Sequence, residues 1–167
     1  MAIALPTAPA PADFSPELRR FGGDLTPTLG GPVQRILRLG SRFAVAVTLP
    51  PMTRALADAW IARRLKSEAT ATPVSMAWPQ TSRESDLGFA LGTPLVKGAA
   101  QSGALLLVDG LTPNAIVPEG LFFNLTHNSQ VYLHCVTDAA TVSSGGEATL
   151  SIAPLLRVSP ADNAPLN

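Results

Sequence analysis

The chain has 167 residues, of which 46% are hydrophobic and 14% charged, with Lys+Arg and Asp+Glu each totalling 12. That apolar content excludes a disordered chain, and a single cysteine, Cys135, excludes a disulfide scaffold. The longest clean apolar run, Ala104 to Val108, is far short of the about 20 residues of a membrane-spanning helix, and the stretch before Phe14 lacks the basic residues of a signal peptide. A soluble domain made in a reducing compartment is expected.

Residues 1–28 are rich in Ala and Pro and read as an extended N-terminal arm. A globular domain is expected over 29–158. Within it, Arg42 to Leu49 alternates, with Phe43, Val45, Val47 and Leu49 on one face, which predicts a strand. Val33 to Leu39 is its expected partner across a turn at Gly40-Ser41. Thr53 to Lys66 predicts a helix, with Thr53 as N-cap and Leu56, Trp60, Ile61 and Leu65 as an apolar stripe. That stripe, above all Leu56, Trp60 and Leu65, is expected to pack the helix on a sheet.

Beyond the helix the pattern is β. Pro73 to Trp78 reads as a short strand, Thr81 to Gly92 as a polar loop, and Ala104 to Val108 as a buried strand. Leu121 to Thr126 and Val131 to Thr137 flank a hairpin turn over His127-Asn128-Ser129-Gln130, and Ala148 to Ile152 alternates again. Residues 159–167 read as a polar C-terminal tail. Together these elements predict a mainly β (α+β) fold: an antiparallel β-sandwich with one packed α-helix and extended N- and C-terminal arms.

The charges are segregated. Arg19 to Lys66 carries nine basic residues against Asp24 and Asp58, a balance of +7, and the remainder balances it at −7. If the two stretches occupy different faces, one copy complements the next in a head-to-tail ring; pairing within one fold is the alternative. Arg35, Arg38, Arg42, Arg63 and Arg64 are the candidate oligomer-interface residues. Specific nucleic-acid binding is not expected, because few aromatics accompany the arginines.

Nothing in the sequence assembles a catalytic constellation. His134 and Cys135 are neighbours on a predicted strand and point to opposite faces. Cys135 therefore reads as a small core residue on the Val131/Leu133 face. The histidines and cysteine lack zinc spacing, and Gly22-Gly23 and Gly30-Gly31 lack the spacing of phosphate loops. No catalytic, cofactor-binding or metal-binding residue is assigned, and no enzyme activity, cofactor or membrane partner is expected.

From about Leu29 to Arg157 the order of elements resembles small tail proteins of long-tailed (siphovirus-type) phages and prophages, related to distal tail proteins. The matching pieces are Gly40-Ser41-Arg42-Phe43, the helix with Trp60 and Leu65, Pro94-Leu95-Val96-Lys97-Gly98-Ala99 with Gly103, and Asp109-Gly110-Leu111-Thr112-Pro113. They continue through Gly120-Leu121-Phe122-Phe123, Val131-Tyr132-Leu133, Gly146-Glu147-Ala148-Thr149-Leu150 and Ala153-Pro154-Leu155-Leu156-Arg157. Similar sequences tend to carry an acid where this chain has Leu121.

The resemblance implies a structural virion protein at the distal end of the tail, made in the bacterial host cytoplasm. It implies a homo-oligomeric ring, sixfold in that family, that joins the tail tube protein to the tail-tip hub or baseplate. The tape-measure protein and receptor-binding proteins are further implied partners. The alternatives are another tail ring component (tube, terminator or hub subunit) and a β-sandwich that binds a small ligand or carbohydrate.

Overall fold

The structure, a computed structural model, describes residues 2–78 and 90–167. Of the expected loop Thr81 to Gly92, residues 81–89 lie outside the described residues. Along the chain run β1 (Ile3–Ala4), β2 (Asp13–Arg19), β3 (Gly23–Leu25), β4 (Gln34–Ile36), β5 (Arg42–Thr48), helix α1 (Arg54–Thr70) and β6 (Val74–Ser75). From residue 90 onward come β7 (Gly92–Val96), β8 (Leu105–Leu111), β9 (Ile116–Val117), β10 (Phe122–His127), β11 (Gln130–Val136), β12 (Ala140–Thr141) and β13 (Ala148–Ala153). Among the described residues the fold is mostly β with one helix, and its sheets are antiparallel except for the β1–β6 pair, as the patterning predicts in the main.

Two compact units form, one from residues 2–17 and 45–78, the other from 18–44 and 90–167. Strands β2 and β5 each begin in one unit and end in the other. The divisions thus fall inside strands.

The second unit is built on a five-stranded sheet in the order β10-β11-β13-β8-β7. Its strands alternate. Leu106 and Val108 of β8 face inward with Leu150 and Ile152 of β13, while Leu105 and Leu107 point out. The expected buried run at Ala104 to Val108 is therefore buried on one face only. The β10–β11 hairpin turns at Asn128 and Ser129, both with positive φ (48° and 61°), as a two-residue type I′ turn requires.

The C-terminal residues, expected as a polar tail, close this sheet. Pro165 bridges Leu95 of β7 on one side, and Leu166 bridges Leu125 of β10 on the other, both antiparallel. The Val96 and Leu166 N–H groups donate to the Ala164 and Pro94 carbonyls at 3.0 Å, and Asn124 and Asn167 exchange backbone bonds at 2.6 and 2.9 Å. Pro160, Ala164 and Leu166 are buried. The C-terminal segment thereby joins the two outer strands of the sheet into a barrel-like closure on the β7/β10 side and pairs the ladder groups there, while among the described residues β11 pairs with β13 only at Cys135 and Val136. The apolar alternation Ala164/Leu166 is too short to announce a strand, and in the structure it makes isolated bridges to its two neighbours.

A second correction concerns Cys135. Both faces of β11 are apolar enough to be buried, and pairing decides between them. Register places Phe123 opposite His134 and Leu125 opposite Tyr132. The inward face is thus His134 and Val136, each about 1% exposed, while Cys135 is half-buried on the other side. The imidazole stacks on Phe123 at 5.7 Å, and its Nδ1 lies 3.0 Å from the Pro154 carbonyl.

Two glycines cross where β7 meets β8. Gly92 and Gly110 both hold positive φ (91° and 72°). A Cβ on Gly110 would overlap the Thr93 carbonyl oxygen, and one on Gly92 would overlap that of Gly110. The register of the pair shifts between Gly92 and Leu95 at this point.

In the first unit β1 pairs in parallel with β6. Helix α1 starts at Arg54, one residue after the expected N-cap Thr53, whose side chain makes no capping bond, and continues to Thr70 instead of ending at Lys66. None of its residues is buried. Leu56 and Leu65 are exposed (43% and 57%), so the expected apolar stripe does not pack on a sheet. The half-buried positions are Ala57, Ala59, Trp60 and Ser67. The helix meets backbone: the Trp60 indole donates to the Ala8 carbonyl (3.4 Å) and the Arg63 guanidinium to the Ala4 carbonyl (2.6 Å). A short strand offers a helix carbonyls more than apolar side chains, so polar-tipped residues hold it.

Candidate functional site

Among the described residues, every buried one lies at or after Val96. Residues 2–78 have none, although they carry most of the exposed large hydrophobics. These concentrate between Leu18 and Leu39, in a stretch whose charge is also strongly basic.

That stretch is a hairpin. Strand β4 pairs with β3, not with β5 as the turn at Gly40-Ser41 predicts, and β5 pairs with β2 instead. Gly40-Ser41 sits at the base of the hairpin. The Phe21 N–H donates to Ser41 Oγ (3.2 Å), Ser41 Oγ donates to the Arg38 carbonyl (3.4 Å), and the Arg42 guanidinium stands 5.1 Å over the Phe21 ring. Across the strands Arg35 Nε meets Asp24 Oδ1 at 3.0 Å. The base is thus held, while Phe21, Leu25, Leu29, Val33, Ile36, Leu37 and Leu39 all remain exposed, Leu29 at 98%. Each large aliphatic left in water forgoes about 1.5–3 kcal/mol of burial.

The five candidate interface arginines fall into two groups. Arg35, Arg38 and Arg42 lie on or beside the hairpin and share its surface. Arg63 and Arg64 lie on α1, where Arg63 holds the Ala4 carbonyl and Arg64 pairs with Glu68 one helical turn on (3.2 Å). Exposed pairs of that kind contribute about 0.3–0.5 kcal/mol. Arg38 has no ion pair among the described residues.

A small cavity of about 190 Å³ opens in the second unit between the start of β5 and strand β11. It is lined by Arg42, Phe43, Tyr132, His134 and Arg157 among others. Small-molecule sites usually offer about 300–1,000 Å³. The Tyr132 ring, the aromatic face a sugar would need, already carries the Arg157 guanidinium 5.7 Å above it. Trp60 is engaged with Ala8, and Trp78 meets Phe14 edge-on at 4.6 Å. Among the described residues no group of three His, Cys, Asp or Glu is placed to hold a metal, and no helix is long and apolar enough to cross a membrane.

His134 is the one buried titratable residue among those described. Burial pushes its pKa below the ordinary 6.5; the Pro154 carbonyl opposes that shift, and Arg157 adds to it. The fold thus holds the imidazole neutral, and the unfolded chain takes up its proton first as pH falls. Stability from this group is complete above pH 6.5 and is lost as pH falls through 6.5 toward the folded-state value. Urea unfolding from pH 7.5 to 5.5 is expected to show this decline in the wild type and a flatter profile in His134→Gln.

No known protein family matches the chain, and no curated protein matches it.

Proposed function

We propose that this chain is a structural assembly subunit, a distal-tail-like ring component of a phage or prophage tail. Copies associate side by side, join the tail tube to the tip hub or baseplate, and support attachment of tip proteins. The observation that carries the assembly role is the split in burial: residues 2–78 carry a dozen exposed large hydrophobics and no buried residue, whereas every buried residue among those described lies at or after Val96. Surfaces of this kind mark protein–protein contact. The tail location rests on the resemblance of the ordered pieces from Leu29 to Arg157.

A β-rich ring in another tail position has the same physical support. The ligand-binding alternative is weaker, because the cavity is small and its tyrosine is covered. Light-scattering mass measurement across concentration, together with peptide identification in purified tail particles from the source, tests the reading. Multimers and presence in particles are expected. A strictly monomeric chain that is absent from particles would overturn it.

A further inference from the structure

We propose that the β3–β4 hairpin is a docking arm: the hairpin of one copy seats on the outer barrel face of a second copy, apolar against apolar and arginine against carboxylate. This rests on the reading of the chain as a self-assembling subunit and names the surfaces that do it.

Charge selects the occupant. Residues 18–44 carry Arg19, Arg20, Arg35, Arg38 and Arg42 against Asp24 alone, a balance of +4. Residues 90–167 carry Asp109, Glu119, Asp138, Glu147 and Asp162 against Lys97 and Arg157, a balance of −3. Both stretches belong to one compact unit, yet no ion pair among the described residues joins them: Arg35 meets Asp24 within the hairpin, and Lys97 meets Glu147 within the barrel. Arg38 of the hairpin and Asp109 of β8 are without an ion pair among the described residues, and these are the charges offered to a second copy. Two hairpins meeting each other would bring +4 against +4, which excludes hairpin-to-hairpin docking as the stable arrangement.

The barrel has a matching surface. Leu105 and Leu107 point outward from β8 at 57% and 41% exposure, and Asp109 follows on the same face. Glu147 precedes Ala148 on the neighbouring strand, on the outward side, and is paired there with Lys97. The hairpin is prepared for this role: its base is tied by the Phe21–Ser41 bond and the Arg42–Phe21 contact, so less ordering cost falls on association.

A heterologous contact of this kind can be dissected by mixing. One full-length variant disables the hairpin (Leu29→Asp, Leu37→Asp, Arg38→Glu) and another disables the barrel face (Leu105→Lys, Asp109→Lys). All five positions lie outside the buried core, and Arg38→Glu alone and Asp109→Lys alone serve as milder second variants if a multiple variant misfolds. Analytical ultracentrifugation at 50 and 500 mM salt is the measurement. The wild type is expected to self-associate, more weakly at high salt. Each variant alone is expected to associate at least roughly 30-fold more weakly. An equimolar mixture is expected to form a one-to-one heterodimer, because one intact hairpin then meets one intact barrel face. A wild type that assembles and a hairpin variant that assembles equally well overturn the docking arm and leave the assembly reading standing. A wild type that stays monomeric at every concentration overturns both.

Discussion

A chain shortened to end at Ser159 is expected to lose its cooperative thermal transition. The eight missing residues contribute Pro160, Ala164 and Leu166 to the interior. They also supply backbone hydrogen bonds to both flanking strands: Asn163, Ala164 and Leu166 to β7, and Pro165 and Asn167 to β10. Without them β7 and β10 become free edges, and Val96 and Leu125, now 0% and 2% exposed, open to water. Free edges beside exposed apolar side chains promote aggregation. The single substitution Leu166→Ala isolates the packing part and is expected to cost about 2–5 kcal/mol. Circular dichroism melts check both. A shortened chain that melts at the wild-type temperature would show that the segment does not close the barrel.

Gly110→Val is expected to destabilise the barrel by about 3 kcal/mol or more, as measured by urea unfolding. Two costs combine. A β-branched residue at positive φ is strained, about 1–3 kcal/mol, and its Cβ overlaps the Thr93 carbonyl oxygen. Neither neighbour can yield easily, because the overlapped atom is backbone in the paired strand β7. Gly110→Ala keeps the overlap with less strain and is expected to fall between Val and wild type. Equal stability of all three would mean that β8 runs past this point without the bulge.

Much of the second half was legible along the chain. Alternation in Ala148 to Ile152 predicts β13, and the run before and after His127-Asn128-Ser129-Gln130 predicts the β10–β11 hairpin, because period-two patterning and turn chemistry are local properties. Helix α1 was legible in the same way, through its alanines and the absence of breakers, although its length was underestimated by four residues at the C-terminal end. Its burial was not. Leu56 and Leu65 have the spacing of a packed stripe, but spacing states only that residues share a face, never that something covers it.

The candidate surface was legible in its charge and hidden in its geometry. The arginines between Arg19 and Lys66 mark a basic stretch, and three of the five candidate residues, Arg35, Arg38 and Arg42, come together around the hairpin. The pairing of β4 with β3 was missed because Gly40-Ser41 looks like a turn between two strands. In the structure that dipeptide bonds back to Phe21 and Arg38, so the neighbour in sequence is not the neighbour in the sheet.

By itself, then, the amino-acid order determined element type, the single helix, the mainly β character and the separation of charge, since each follows from residues within a few positions of one another. Only tertiary structure decided which face of β11 is inside, that the segment with Ala164 and Leu166 bridges β7 and β10, and that the hydrophobics between Leu18 and Leu39 stay uncovered. The first two outcomes depend on pairing with other strands, from Phe123 against His134 in the hairpin to Leu166 against Pro94 across most of the domain, where strand pairing outweighs local preference.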